Sequence, residues 1–163
     1  MPAVSAYAGE QTRSIKALSD TDVSSLQSGA GMAYAKAAEL NGYPGPAHVL
    51  ELKSQLKLSD QQRIASETLI AAHQAQARVL GSQVVEAERA LDVTFASKKA
   101  DANSVTALTQ RIAELQAQLR AEHLQTHLKQ TELLSPAQIA SYQRLRGYGV
   151  AIPSTINTPK HVH

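Results

Sequence analysis

The chain has 163 residues, with 16 Lys and Arg against 14 Asp and Glu, and no cysteine. That length is about one domain and buries a core without cross-links, while the missing cysteines exclude disulfides, thiol catalysis and cysteine metal clusters. The basic residues are scattered rather than gathered in a stripe, so nucleic acid is not an expected partner, and no apolar run of about 18 residues exists to span a membrane. Aromatic residues make up 4% and Ala, Leu and Gln abound, a composition that suits thin, closely packed helices and an all-α fold.

The opening "MPAVSAYAGEQTRS" has neither a basic start nor an apolar stretch, so no secretory signal is expected in the chain as read. In "SDTDVSSLQSG" Ser19 is placed to cap a helix whose first turn carries Asp20 and Asp22, where the helix dipole favours negative charge. "AGMAYAKAAELNG" reads as an alanine-rich helix stopped at Asn41 or Gly42. The overlapping "GAGMAY" from Gly29 to Tyr34 lacks the strand and lysine of a phosphate loop and reads as a joint between helices. "YPGP" forces a corner, and Pro46 suits the first position of a short helix, "PAHVLELKSQL".

From Ser59 to about Ala96 there is no proline and one glycine, Gly81, as one long helix requires. Its apolar stripe runs through Leu69, Leu80, Val84, Ala87, Leu91 and Phe95. The polar "SKKADANS" breaks the pattern, with Asp101 or Asn103 able to cap a new helix. This second long helix reaches about Glu132, with Val105, Leu108, Ile112, Leu115 and Leu119 on one face. Two such stripes joined by a short connection predict an antiparallel hairpin with short flanking helices. A closing helix is expected from Pro136 to about Arg146, ended by Gly147. The division is therefore 1–45 as an N-terminal helical extension, 46–149 as the hairpin domain and 150–163 as a flexible tail.

Two stretches rhyme: Leu58, Ser59 and Gln62 in "LSDQQ", and Leu134, Ser135 and Gln138 in "LSPAQ". Each is a capping box, in which the Ser oxygen accepts from the backbone amide three residues on and the Gln side chain reaches back. Each is worth about 1 kcal/mol. The pair, at the start of the hairpin and again after it, resembles the LTxxQ pattern of the Spy/CpxP family, with Ser in place of Thr. The likeness runs from Gly42 to Gly149. It implies a Spy/CpxP-like helical hairpin, a periplasmic location after signal removal and an intertwined, cradle-shaped homodimer. Alanine-rich hairpin faces that leave apolar surface for a second copy agree with a dimer.

There are six histidines. His123 and His127 stand four apart, on one face of a helix, and can share a metal ion. If the hairpin turns near residue 99, His73 comes level with them across the interface. His48 is a fourth candidate from the short helix, with Glu67 or Glu122 as a carboxylate, and such a set suits Zn, Cu, Ni or Co. The bland alternative makes His73 and His123 interfacial histidines and leaves His127 solvated. His161 and His163 fall in the tail. The resemblance extends to metal sensors of the CnrX type and zinc binders of the ZraP type. Their late pair is His-x-x-x-Met or similar, where this chain has His-x-x-x-His.

No GxSxG and no HExxH occurs, so no enzyme is expected. The leading expectation is an ATP-independent stress-response chaperone that binds unfolded or misfolded clients on the dimer's concave face. The alternative is heavy-metal binding or sensing by the His cluster, with a membrane-bound regulatory partner. A purely structural helical module remains open beside them.

Overall fold

The computed structural model describes residues 3–148; the tail at 150–163, with His161 and His163, lies outside the described residues. Among these there are six α-helices and no strand. They are α1 (Asp20–Ser28), α2 (Lys36–Glu39), α3 (Pro46–Glu51), α4 (Asp60–Ala96), α5 (Ala102–Glu132) and α6 (Pro136–Leu145), after a 3-10 turn at Glu10–Thr12. α4 and α5 form the long hairpin, and α1, α2 and α3 pack along it.

Capping sets the boundaries. Ser19 with Asp22, Ser59 with Gln62, Asp101 with Ser104 and Ser135 with Gln138 each form a complete capping box. The chain ahead of α3 is less helical than its alanine content suggests. Met32 and Ala33 have left-handed backbones, φ 48 and 60, which a right-handed helix cannot contain, so α2 is left with one turn. α3 likewise ends at Glu51 rather than continuing through Leu56.

The two rhyming motifs meet in space. Gln62 donates from Nε2 to Gln138 Oε1 at 2.8 Å, and Gln138 donates back to Gln62 Oε1 at 2.9 Å. The same two amides reach the carbonyls of Leu133 and Leu56, at 2.9 and 3.2 Å. Leu58 and Leu134 pack beneath them in a small core with Val49, Leu52, Leu56, Ile139 and Tyr142. A larger core holds Ala77, Leu80, Val84 and Val85 of α4 against Leu115 and Leu119 of α5, with Ile15 and Leu26 from the N-terminal segment. Phe95, expected on the buried stripe, is instead 54% exposed, because it stands one residue from the end of α4, beyond Val84, Val85 and Ala87, the last α4 residues of the larger core.

Between the two cores the hairpin interface turns polar. Gln130, fully buried, donates to Ser66 Oγ at 3.0 Å, and Ser66 donates to the Gln62 carbonyl at 2.8 Å. One step further along, His73 faces His123.

Gly81 lets α1 cross α4 at close range, since a Cβ there would collide with the carbonyl oxygen of Leu26. Alanine normally stabilises a helix interior by about 1 kcal/mol over glycine. Here the sign reverses: Gly81→Ala is expected to destabilise the fold by about 1–3 kcal/mol through overpacking against backbone. Thermal denaturation checks this, and an unchanged or raised Tm would rule out the close crossing.

Candidate metal centre

The stretch of hairpin between the cores borders a cavity of about 390 Å³. Its walls come from Gly29 to Gly31 after α1, the start of α3 at Gly45 to His48, and His73, His123, Thr126 and His127 of the hairpin. All four histidines singled out in the sequence therefore line one cavity. The carboxylates divide: Glu122 joins the cluster, whereas Glu67 pairs with Arg63 on the exposed side of α4, at 3.1 Å.

Three of the imidazoles are held by Nδ1. His73 Nδ1 lies 3.3 Å from Glu122 Oε1 and 3.0 Å from Thr126 Oγ1. The Thr126 hydroxyl donates to the Glu122 carbonyl at 2.8 Å, so both neighbours can accept the Nδ1–H of His73. His127 Nδ1 lies 2.7 Å from the Tyr43 carbonyl, an acceptor only, and this places its proton on Nδ1. His48 Nδ1 meets Glu51 Oε2 at 3.0 Å near the surface. In a neutral ring such an Nδ1–H leaves Nε2 with its lone pair. Among the described residues none of the three makes a hydrogen bond there. Gly45 packs closely against His127: a Cβ there would stand 2.6 Å from His127 Nε2, and the ring would have to shift.

His123 is the buried member, 5% exposed. It lies edge-on to His73, with ring centroids 4.5 Å apart, and Tyr34 covers it at 5.5 Å. Its Nε2 is buried without a hydrogen-bond partner. Burial first, then the neighbouring His73 and His127, lowers its pKa from 6.5 to about 4. The imidazole is accordingly neutral at neutral pH, the form in which it ligates metals.

A family model described as heavy-metal resistance matches residues 28–141. The chain belongs to the heavy-metal resistance family. No curated protein and no solved structure matches it. The family sits in the Spy/CpxP-like helical superfamily with CnrX and ZraP, as the paired Leu-Ser-x-x-Gln motifs implied. The heavy-metal resistance match spans the cavity and the hairpin on both sides of it.

The donor chemistry fits the borderline and softer divalent ions that such a family name suggests, since imidazole in its neutral form gives such ions a nitrogen lone pair. His123 adds an Nε2 that is buried without a hydrogen-bond partner. The arrangement is nevertheless open. Among the described residues no group of three or more His, Asp or Glu side chains that could hold a metal ion is formed as the side chains stand.

Sequence reasoning did not find Thr126, Tyr34, Gly45 or the Tyr43 carbonyl, nor Glu39, whose Oε2 lies 3.6 Å from His127 Nδ1. Thr126 was legible in principle, since Leu119, His123, Thr126 and Gln130 continue the buried stripe at helical spacing. The others come from segments distant in sequence and carry no local signal.

The depressed pKa has a consequence for stability. The unfolded chain takes a proton on His123 below about 6.5, whereas the folded chain does so only near 4. Stability from the neutral ring is therefore fully present above pH 6.5 and is lost as pH falls towards 4. His123→Leu should flatten this acid loss, read as urea midpoints across that window. An equal pH slope in variant and wild type would place the titration elsewhere.

Proposed function

We propose that this chain is a periplasmic heavy-metal-binding domain that takes Zn, Cu, Ni or Co in the histidine cavity, without enzymatic activity. The observation that carries the reading is the convergence of His48, His73, His123 and His127 on one cavity. In three of them Nδ1 is tied to an oxygen acceptor and Nε2 is left without a hydrogen bond. Metal-ligating histidines characteristically have their second nitrogen fixed in this way. His123 is the buried anchor, His73 and His127 flank it from α4 and α5, and His48 stands at the mouth. Rotation of these side chains closes the set. A bound ion adds positive charge between α3, α4 and α5, and a membrane-bound regulatory partner reads the change.

A second reading, client binding by a homodimer, is favoured by the outer side of α4. Ile64, Val79 and Val93 are all exposed there, and at 3.6 residues per turn they fall on one side of the helix. The dimer's alanine-rich cradle would offer that surface to unfolded segments. This reading expects suppression of aggregation of an unrelated protein without nucleotide, at near-equal ratios. It also expects serine at Ile64, Val79 and Val93 to abolish that suppression. Activity that survives the triple replacement would remove this face from consideration.

For the metal reading, titration of the full chain with each of the four ions is expected to show one tight site. Replacing His73, His123 and His127 together by Ala should weaken it by more than the roughly 10–100-fold that loss of an outer partner costs. His48→Ala should cost less, because that side chain is 42% exposed. Equal affinity in the triple variant, with helical circular dichroism intact, would place the site elsewhere.

A further inference from the structure

On the far side of His127 from the cavity stands Glu39 of α2, whose side chain is only 14% exposed. Its Oε1 accepts from the hydroxyls of Tyr142 and Tyr148, at 2.5 and 3.2 Å. Its Oε2 is buried without a hydrogen bond, 3.6 Å from His127 Nδ1. That separation is close enough for an ion pair and too long for a hydrogen bond. Arg146 Nε, also buried and unbonded, is 3.7 Å from Oε1. A buried carboxylate oxygen without a donor is costly. This one faces the ring edge opposite the bare Nε2 of a cavity histidine, while its partner oxygen is held by the end of α6.

We propose that Glu39 is a positioning residue for His127 and couples the histidine cavity to the end of α6. The inference rests on the metal-binding reading of that cavity. The Tyr43 carbonyl already fixes the His127 tautomer, so what Glu39 adds is charge. With a cation on Nε2, the Nδ1–H of His127 becomes a stronger donor and draws Glu39 Oε2 towards it. The two carboxylate oxygens move as one rigid unit, so the bonds from Tyr142 and Tyr148 to Oε1 change with it. By linkage the effect is reciprocal: altering those bonds changes the affinity of the cavity by the same factor. His73 with Glu122 repeats the imidazole–carboxylate pairing on α4, but Glu122 has no comparable tie to α6 among the described residues.

The test uses the full chain, with Zn as the probe. Glu39→Gln keeps the shape and an acceptor for the tyrosines while removing the charge. It is expected to weaken Zn binding by about 10–100-fold and to erase the Zn-induced shift of the Tyr142 and Tyr148 ring signals seen by NMR in the wild type. Wild-type affinity in a folded Glu39→Gln chain overturns the proposal, as does a wild type whose tyrosine rings are unmoved by Zn. Should Glu39→Gln fail to fold, Tyr142→Phe with Tyr148→Phe leaves the carboxylate in place and cuts only its tie to α6. Unchanged Zn affinity in that pair is equally fatal. A wild type that takes no Zn overturns this inference, and the Cu, Ni and Co titrations then decide separately whether the metal reading falls as well.

Discussion

The reciprocal amide clasp between Gln62 and Gln138 is the constraint on which the rest of the chain is arranged. Each Gln side chain makes four bonds: its Oε1 accepts from the amide of its own N-cap serine and from the other Gln, and its Nε2 donates to the other Gln and to the carbonyl of Leu133 or Leu56. Starting α4 and starting α6 are thereby one event, and the base of the hairpin closes where the two starts meet. Each bond contributes only about 1 kcal/mol net. Geometry is the larger consequence, since amides that must satisfy four bonds leave little freedom for either helix to slide. Repetition of a short motif far apart in the sequence is thus explained by contact in space.

Above the clasp the interface is graded. Apolar packing at Leu80, Val84, Leu115 and Leu119 supplies burial, which is non-directional and proportional to area. The layers between that core and the clasp use Gln130, Ser66, Thr126 and two imidazoles instead. Buried polar groups are tolerated where they are bonded, and most are; the exceptions are informative. Gln130 Oε1, His123 Nε2 and Glu39 Oε2 are left over, together with Gln143 Nε2 and Arg146 Nε at the end of the chain's described part; His123 Nε2 and Glu39 Oε2 belong to the histidine cavity and to its connection with α6. The polar stretch is where stability is given up and chemistry becomes available.

The short elements ahead of the hairpin build the cavity more than they build the core. The left-handed residues Met32 and Ala33 cost of order 1–2 kcal/mol each, and they keep α2 from extending back through the segment that covers His123. Tyr34 then covers that ring, Gly45 makes room for His127, and the Tyr43 carbonyl orients it. A regular alanine-rich helix through this segment would have offered none of these contacts.

By itself the sequence determined the all-helical class, the two long helices, starting at Ser59 and at Asp101 or Asn103, the closing helix starting at Ser135, and the family resemblance. These depend on local signals, capping chemistry and apolar periodicity, which need no knowledge of distant residues. Counting back from the turn near residue 99 also placed His73 opposite His123 and His127, because a hairpin with a short connection has a calculable register. Only the tertiary structure decided that His48 shares their cavity, that Phe95 lies outside the core and that Glu39 stands behind His127. Each depends on how far α1, α2, α3 and α6 reach along the hairpin. That reach is set by close packing at Gly81 and Gly45 and by strained backbone at Met32 and Ala33, none of which leaves a periodic trace in the sequence.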